Sequence, residues 1–153
     1  ETIATLTSTS FLRGDGGFGG PPGPTPAPHK LPERAPYRVC DLATLPQQAL
    51  IYRLSGDYNP LHADPEVAAV GGFKAPILHG LCSLGVAGHA ILKTVCDYDP
   101  ARLASLKLRF SSPVYPGETI RTEMWIDGKD VSFRARVAER DIVVLDNGLA
   151  TLR

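Results

Sequence analysis

Two hydrophobic periods divide the chain near residue 100. Between Leu78 and about Asp97, apolar residues recur at helical spacing, with Leu81, Leu84, Gly88, Ile91 and Val95 forming an i, i+3/i+4 stripe. Only His89 and Lys93 interrupt an otherwise apolar or small surface, so the pattern predicts one long, mostly buried helix. Gly85 and Gly88 each cost such a helix about 1 kcal/mol relative to alanine, which makes sense where a sheet or ligand approaches the backbone closely. From Leu103 the period falls to two. Leu106, Leu108 and Phe110 alternate with Lys107 and Arg109, and Pro113, Pro116 and Gly117 then interrupt. Thr119–Ile126 and the run containing Val131, Phe133, Ala135 and Val137 flank Asp127-Gly128, a hairpin signal. Ile142–Leu152 predicts a last strand, bent or bulged near Asn147-Gly148. One long helix before an antiparallel run of strands is an α+β pattern.

Upstream the signals are shorter. Tyr37–Leu42 predicts a strand. Thr44 is a candidate cap for a helix running to about Leu54, with Leu45, Ala49 and Leu54 on its buried side and Pro46 in its first turn. Gly56 suits the left-handed residue that ends such a helix. A small helix around Pro65–Val70 and a turn at Gly71-Gly72 are expected within the loop 57–76. Residues 1–12, rich in threonine and partly alternating, predict a strand that needs a partner, since a lone strand is unstable. Gly14–Gly20 and the prolines of 21–36 predict a linker. The glycine run lacks the Lys-Ser/Thr of a phosphate loop, and the proline run lacks a clean PxxP flanked by arginine.

Composition narrows the function classes. The 153 residues carry 16 basic and 16 acidic side chains, so no electrostatic footprint for nucleic acid or an anionic membrane appears. No apolar run has the length of a membrane span. Cys40, Cys82 and Cys96 form neither an even disulfide set nor a CxxC, which fits a reducing compartment such as the cytoplasm. Thr151-Leu152-Arg153 is not a Ser-Lys-Leu type address.

Candidate chemistry is concentrated in Ser55–His62, where Asp57, Asn59 and His62 place a carboxylate, a carboxamide and an imidazole within six residues. Five residues along a helix turn a side chain by about 140°, and an odd offset on a strand reverses its face. Neither element aims Asp57 and His62 at one point. Pro60 breaks both patterns and biases Asn59 towards an extended conformation, so a turn can bring the two ionisable groups to one reacting atom. Singly, each has a plainer explanation: Asp57 as a turn cap, His62 as a satisfied interior histidine. His79 either lines the pocket or makes a structural hydrogen bond. Cys82 is better placed as an apolar filler than as a nucleophile. Lys107 and Arg109 make a solvated strand face or contact ligand phosphates. His29 and His89 are expected to have no role. Asp57, His62 and His79 offer a conceivable metal cluster, but without zinc-type spacing.

Ser55-Gly56-Asp57-x-Asn59-Pro60-Leu61-His62, Pro76-Ile-Leu-His-Gly-Leu-Cys82 and Phe110-Ser-Ser-Pro-Val-Tyr-Pro-Gly-Glu118 together resemble the MaoC-like (R)-specific enoyl-CoA hydratases. The likeness is greatest to the hydratase part of multifunctional peroxisomal β-oxidation enzymes and their bacterial two-hotdog relatives, and covers roughly residues 37–153. It implies a hotdog fold, an antiparallel sheet wrapped around a long central helix. It implies (R)-specific hydration of trans-2-enoyl-CoA to (3R)-hydroxyacyl-CoA, or the reverse, with no metal or other cofactor. Asp57 and His62 then form the acid/base pair, with the division of roles open; Asn59 orients the water or its neighbours, and the Gly80 N–H faces the thioester oxygen. His79, Lys107, Arg109 and Phe110 become substrate contacts, and the partners are an acyl-CoA and a second hotdog, either another half or another copy. On that basis residues 1–20 are expected to be the tail of a preceding half-domain and 21–36 a linker to a hotdog domain at 37–153. A hotdog thioesterase and a non-catalytic acyl-binding hotdog are the alternatives.

Overall fold

Alternating side chains build one sheet and bury one of its faces against one helix. In the computed structural model, which describes the chain apart from residues 11, 13, 22 and 24–26, the strands are β1 (Arg38–Ala43), β2 (Leu103–Phe110), β3 (Thr119–Asp127), β4 (Asp130–Val137) and β5 (Ile142–Leu152). They pair antiparallel in the order β1-β3-β4-β5-β2. Helices α1 (Gln48–Tyr52), α2 (Pro65–Val70) and α3 (Gly80–Val95) lie between β1 and β2 in sequence. Ile120 and Met124 of β3 and Val131, Phe133, Ala135 and Val137 of β4 are fully buried, in one core with Ala87, Ala90 and Ile91 of α3. No helix among the described residues is long and apolar enough to cross a membrane.

The expected hairpin forms, with Asp127 paired to Asp130 across Gly128-Lys129 and Gly128 at φ +63°. The expected irregularity in β5 is a bulge. Phe133 pairs with Gly148, yet Ala135 pairs with Leu145, and Asn147 takes φ +53°.

The long helix is present; of the expected stripe Gly88 and Ile91 are buried and Leu84 and Val95 half-buried, but Leu81 falls outside a buried side that takes in further small residues. Cys82, Ser83, Ala87, Gly88, Ala90 and Ile91 are buried, whereas Leu81 is 60% exposed. Small residues make up most of the buried side, yet space does not require Gly88: a Cβ there would meet Leu106 at an ordinary 3.5 Å. Gly85 has open space, so close approach within this chain does not explain it.

The helix expected from Thr44 starts later. Thr44 is no cap: its Oγ1 donates to the Glu118 carbonyl (2.8 Å) and accepts from the Gly117 N–H (2.9 Å), fastening the loop before β3. Of the expected buried side of α1 only Ala49 is buried; Leu45 and Leu54 are exposed. Gly56 takes φ +110° after a single 3-10 turn, as its position suggests.

The strand expected within 1–12 is absent among the described residues, and residue 11 lies outside them. Ile3 and Leu6 are almost wholly exposed; Thr5–Ser8 border a groove with Leu106 and Leu108 of the edge strand β2 but form no strand on it. The proline-rich stretch, of which residues 22 and 24–26 are outside the described set, binds the outer face of the sheet from residue 29. The His29 ring pairs with the Ser132 hydroxyl (2.8 Å), and its carbonyl accepts from Asn147 Nδ2 (2.8 Å). Trp125 Nε1 donates to the Arg34 carbonyl (2.7 Å), and Arg34 pairs with Asp127. His29, for which no role was expected, therefore has a structural one.

Candidate active site

The loop between α1 and α2 folds by local capping. The Asp57 carboxylate accepts from the Asn59 N–H (3.2 Å), and the Asn59 side-chain oxygen accepts from the Leu61 N–H (3.1 Å), opening a 3-10 turn over Pro60–His62. Asp64 then caps α2 through the Glu66 and Val67 N–H groups. These bonds carry His62 towards the start of α3. Its Nδ1 lies 2.8 Å from the Ile77 carbonyl. A carbonyl only accepts, so Nδ1 carries a proton, and Nε2 has no hydrogen-bond partner among the described residues.

Asp57, His62 and His79 come together, one polar atom from each lying within 4.8 Å of the others. The His79 ring stacks on His62 (centroids 3.7 Å apart, planes 27° apart) and tilts against Tyr52 (4.7 Å). His79 Nε2 donates to the main-chain carbonyl of Asp57 (3.1 Å), while its buried Nδ1 has no partner among the described residues. Burial holds the His79 imidazole below its ordinary pKa, with the Asp57 carbonyl opposing and His62 adding to the shift. The triad is a poor cradle for a metal. An ion needs about 2.0–2.1 Å to each ring nitrogen, in the plane of each ring, and stacked imidazoles aim their lone pairs side by side rather than at one point.

Beside this cluster a cavity of about 360 Å³ opens between the start of α3 and the segment after β2. His62, Phe73, Leu78, Gly80, Ser83, Phe110, Val114, Val144 and Leu145 are among its lining residues. The Gly80 N–H, in the first turn of α3, has no acceptor among the described residues and needs one from outside the helix. A side chain at Gly80 would press on the Phe110 ring at 3.2–3.3 Å. Lys107 and Arg109 are not brought to this site. They line a separate groove with His29, Leu108 and Asn147. Cys82 is buried, and desolvation pushes its thiol up, which suits a filler and not a nucleophile. All three cysteines are free.

The supports of the cavity escape sequence reasoning. Arg140 binds Glu118 through Nε (2.6 Å) and Nη2 (2.8 Å) and donates to the Pro113 carbonyl (2.7 Å). The Glu118 carboxylate also accepts from the Tyr115 N–H (2.7 Å). This network pins the Pro113–Glu118 segment. Its only advance signal was Glu118 itself, in the Pro-Gly-Glu run.

An antiparallel sheet wrapped on one long helix, with a carboxylate–imidazole pair and an unpaired N–H at the helix start, defines a hotdog domain of the dehydratase kind. The chain belongs to the MaoC-like domain family, which matches residues 28–147. It is 50% identical over 145 residues to a probable enoyl-CoA hydratase 2 of Dictyostelium discoideum, covering 93% of this chain and 49% of that protein. It is 45% identical over 154 residues to the peroxisomal multifunctional enzyme type 2 of Mus musculus, covering 99% of this chain and 21% of that protein. The crystal structure of a MaoC-like dehydratase from Phytophthora capsici superposes with a TM-score of 0.82 at 50% identity, over 85% of this chain and 46% of that one. The chain thus spans half or less of the length of these relatives.

Proposed function

We propose that this domain hydrates trans-2-enoyl-CoA to (3R)-hydroxyacyl-CoA, or catalyses the reverse, in fatty-acid β-oxidation. The observation that carries the reading is the meeting of Asp57 with His62, one polar atom of each within 4.8 Å of the other, beside a cavity that both His62 and Gly80 line. In this reading the acyl thioester enters the cavity with its oxygen at the Gly80 N–H, where the helix N-terminus favours developing negative charge. Water held between Asp57 and His62 attacks Cβ: a C–O bond forms, the C=C π pair moves into the enolate, and His62 Nε2 takes the water proton. A proton delivered from the pair to Cα then restores the thioester carbonyl, so one water is consumed and nothing is oxidised. Asn59 serves by capping the turn through its side-chain oxygen. Phe110 lines the cavity, whereas the buried His79 does not and so is no substrate contact; Lys107 and Arg109, in a separate groove, would contact coenzyme A phosphates only if the ligand reached that groove.

Crotonyl-CoA and longer enoyl-CoAs, assayed with chiral analysis of the product and with a chelator present, test the reading. The expected product is the (3R)-alcohol at an undiminished rate. Release of free coenzyme A in place of hydration, or activity lost to chelator and restored by zinc, overturns it.

A second hotdog, either another half or another copy, completes the site in this proposal. Support comes from the exposed Leu81 and Phe110 on a groove with Leu84, Leu106 and Leu108, which Thr5–Ser8 also border, beside the edge strand β2. An edge strand left unpaired is an aggregation liability. Light scattering across a concentration series is expected to report paired hotdogs; a monodisperse, fully active monomer of the 16.4 kDa chain contradicts it. The name of the mouse relative places that protein in the peroxisome, and the same compartment is proposed here.

A further inference from the structure

His79 touches both members of the acid/base pair, yet the hydration chemistry gives it no step. Its ring face lies on His62 at 3.7 Å, and its Nε2–H reaches the Asp57 carbonyl at 3.1 Å. The alternatives for each contact are few. Bonds made by Gly56, Asn59, Leu61 and His62 within this turn are all local, between residues 53 and 62. Among the described residues, the bond from His79 is the one that ties Asp57–Asn59 to a distant part of the chain. His62 has one ring bond, from Nδ1 to Ile77, and a single bond leaves the imidazole free to swing about it. A face-on contact removes that freedom.

His79 is itself well anchored. It is 1% exposed, precedes the first residue of α3 and is backed by Tyr52 on a second side. It therefore rides on the same helix start that presents the Gly80 N–H. Its burial also disfavours the charged form, so it stands beside His62 as a neutral ring. The position calls for a flat face and a donor at the far end of one small side chain. Phenylalanine supplies only the face and glutamine only the donor.

We propose that His79 is a positioning residue of the hydratase site: one buried side chain holds the His62 ring by stacking and the Asp57 turn by a main-chain hydrogen bond, fixing both against the helix that carries Gly80. The proposal rests on the hydratase reading, so its test needs one arm that turnover does not decide. In the full-length protein, His79→Phe keeps the stack and loses the donor, His79→Gln does the reverse, and His79→Ala loses both. Misplacement of reacting groups by an ångström can cost a hundredfold, so kcat is expected to fall about tenfold in Phe and Gln variants and about a hundredfold in the Ala variant. KM should stay within about threefold, because no substrate contact is removed. Ring resonances of His62 in the unliganded protein, followed by nitrogen-15 NMR, are expected to move in the Gln and Ala variants and to stay near the wild type in the Phe variant.

Wild-type kcat in folded Phe and Gln variants, a loss confined to KM, or His62 resonances indifferent to removal of the ring overturns the proposal. Should the Ala variant not fold, the Phe and Gln pair decides alone. A wild-type protein with no hydratase turnover refutes the hydratase reading instead, and the NMR arm still reports whether His79 holds His62.

Discussion

Asp57→Asn and His62→Gln are each expected to lower hydratase kcat by about 10²–10⁴-fold, the range a lost general acid or base commands, while circular dichroism and melting temperature stay near the wild type. The expectation of an intact fold comes from how the loop is made. Asparagine keeps the side-chain oxygen that accepts from the Asn59 N–H, so the Asp57 turn retains its own bond. The glutamine amide can still donate towards the Ile77 carbonyl, the one ring bond His62 makes among the described residues. Both positions are solvent-accessible or half-buried, so neither change opens a core cavity. The loss should therefore appear in kcat and not in stability. Near-normal turnover by either variant, with an unchanged spectrum, removes the pair as the reacting groups. Non-additivity supplies a second check: two groups acting on one water should cost little more together than the worse of them alone.

The meeting of Asp57 with His62 was legible in the sequence because the turn that joins them is local. Asp57 and Asn59 set the turn through side-chain caps, with Pro60 opening its 3-10 turn, and α2 follows Asp64 and Pro65 for the same reason. The strands after Leu103 were legible because a half-buried strand alternates whatever it pairs with. What stayed hidden depends on contacts between distant positions. The buried side of α3 was read in part: Gly88 and Ile91 are buried as expected, but Cys82, Ser83, Ala87 and Ala90 complete it, and Leu81 points away from the core of this chain. Thr44 was misread as a cap because its hydroxyl serves Gly117 and Glu118, more than seventy positions on. Arg140 could not be found at all: its partners Glu118 and Pro113 meet it only once β3 and β4 have paired. The contact of His79 with His62 is of the same kind, since nothing in Pro76–Gly80 says which ring it will lie on.

Gly148→Ala is expected to destabilise the domain by about 2–3 kcal/mol, as overpacking in a well-filled interior does, lowering the melting temperature by roughly 5–10 °C in a chain of this size. Gly148 sits directly opposite Phe133 in the β4–β5 ladder, just past the bulge. A Cβ there would stand 2.5 Å from the Phe133 carbonyl oxygen and 2.7 Å from two of its ring carbons. The ring cannot swing away cheaply, because Phe133 is fully buried in the core, and the carbonyl belongs to the sheet backbone. Glycine is required here by space and not by φ, since the left-handed residue of the bulge is Asn147. Gly88→Ala makes the opposite prediction in the same core. Its Cβ would meet Leu106 at an ordinary 3.5 Å, and removing a mid-helix glycine is worth up to about 1 kcal/mol, so this variant should melt at or above the wild type. Thermal unfolding of the two alanine variants side by side decides it. A Gly148→Ala protein as stable as the wild type would mean that β4 and β5 yield at the bulge, and that the Phe133 ring is not held where the core places it.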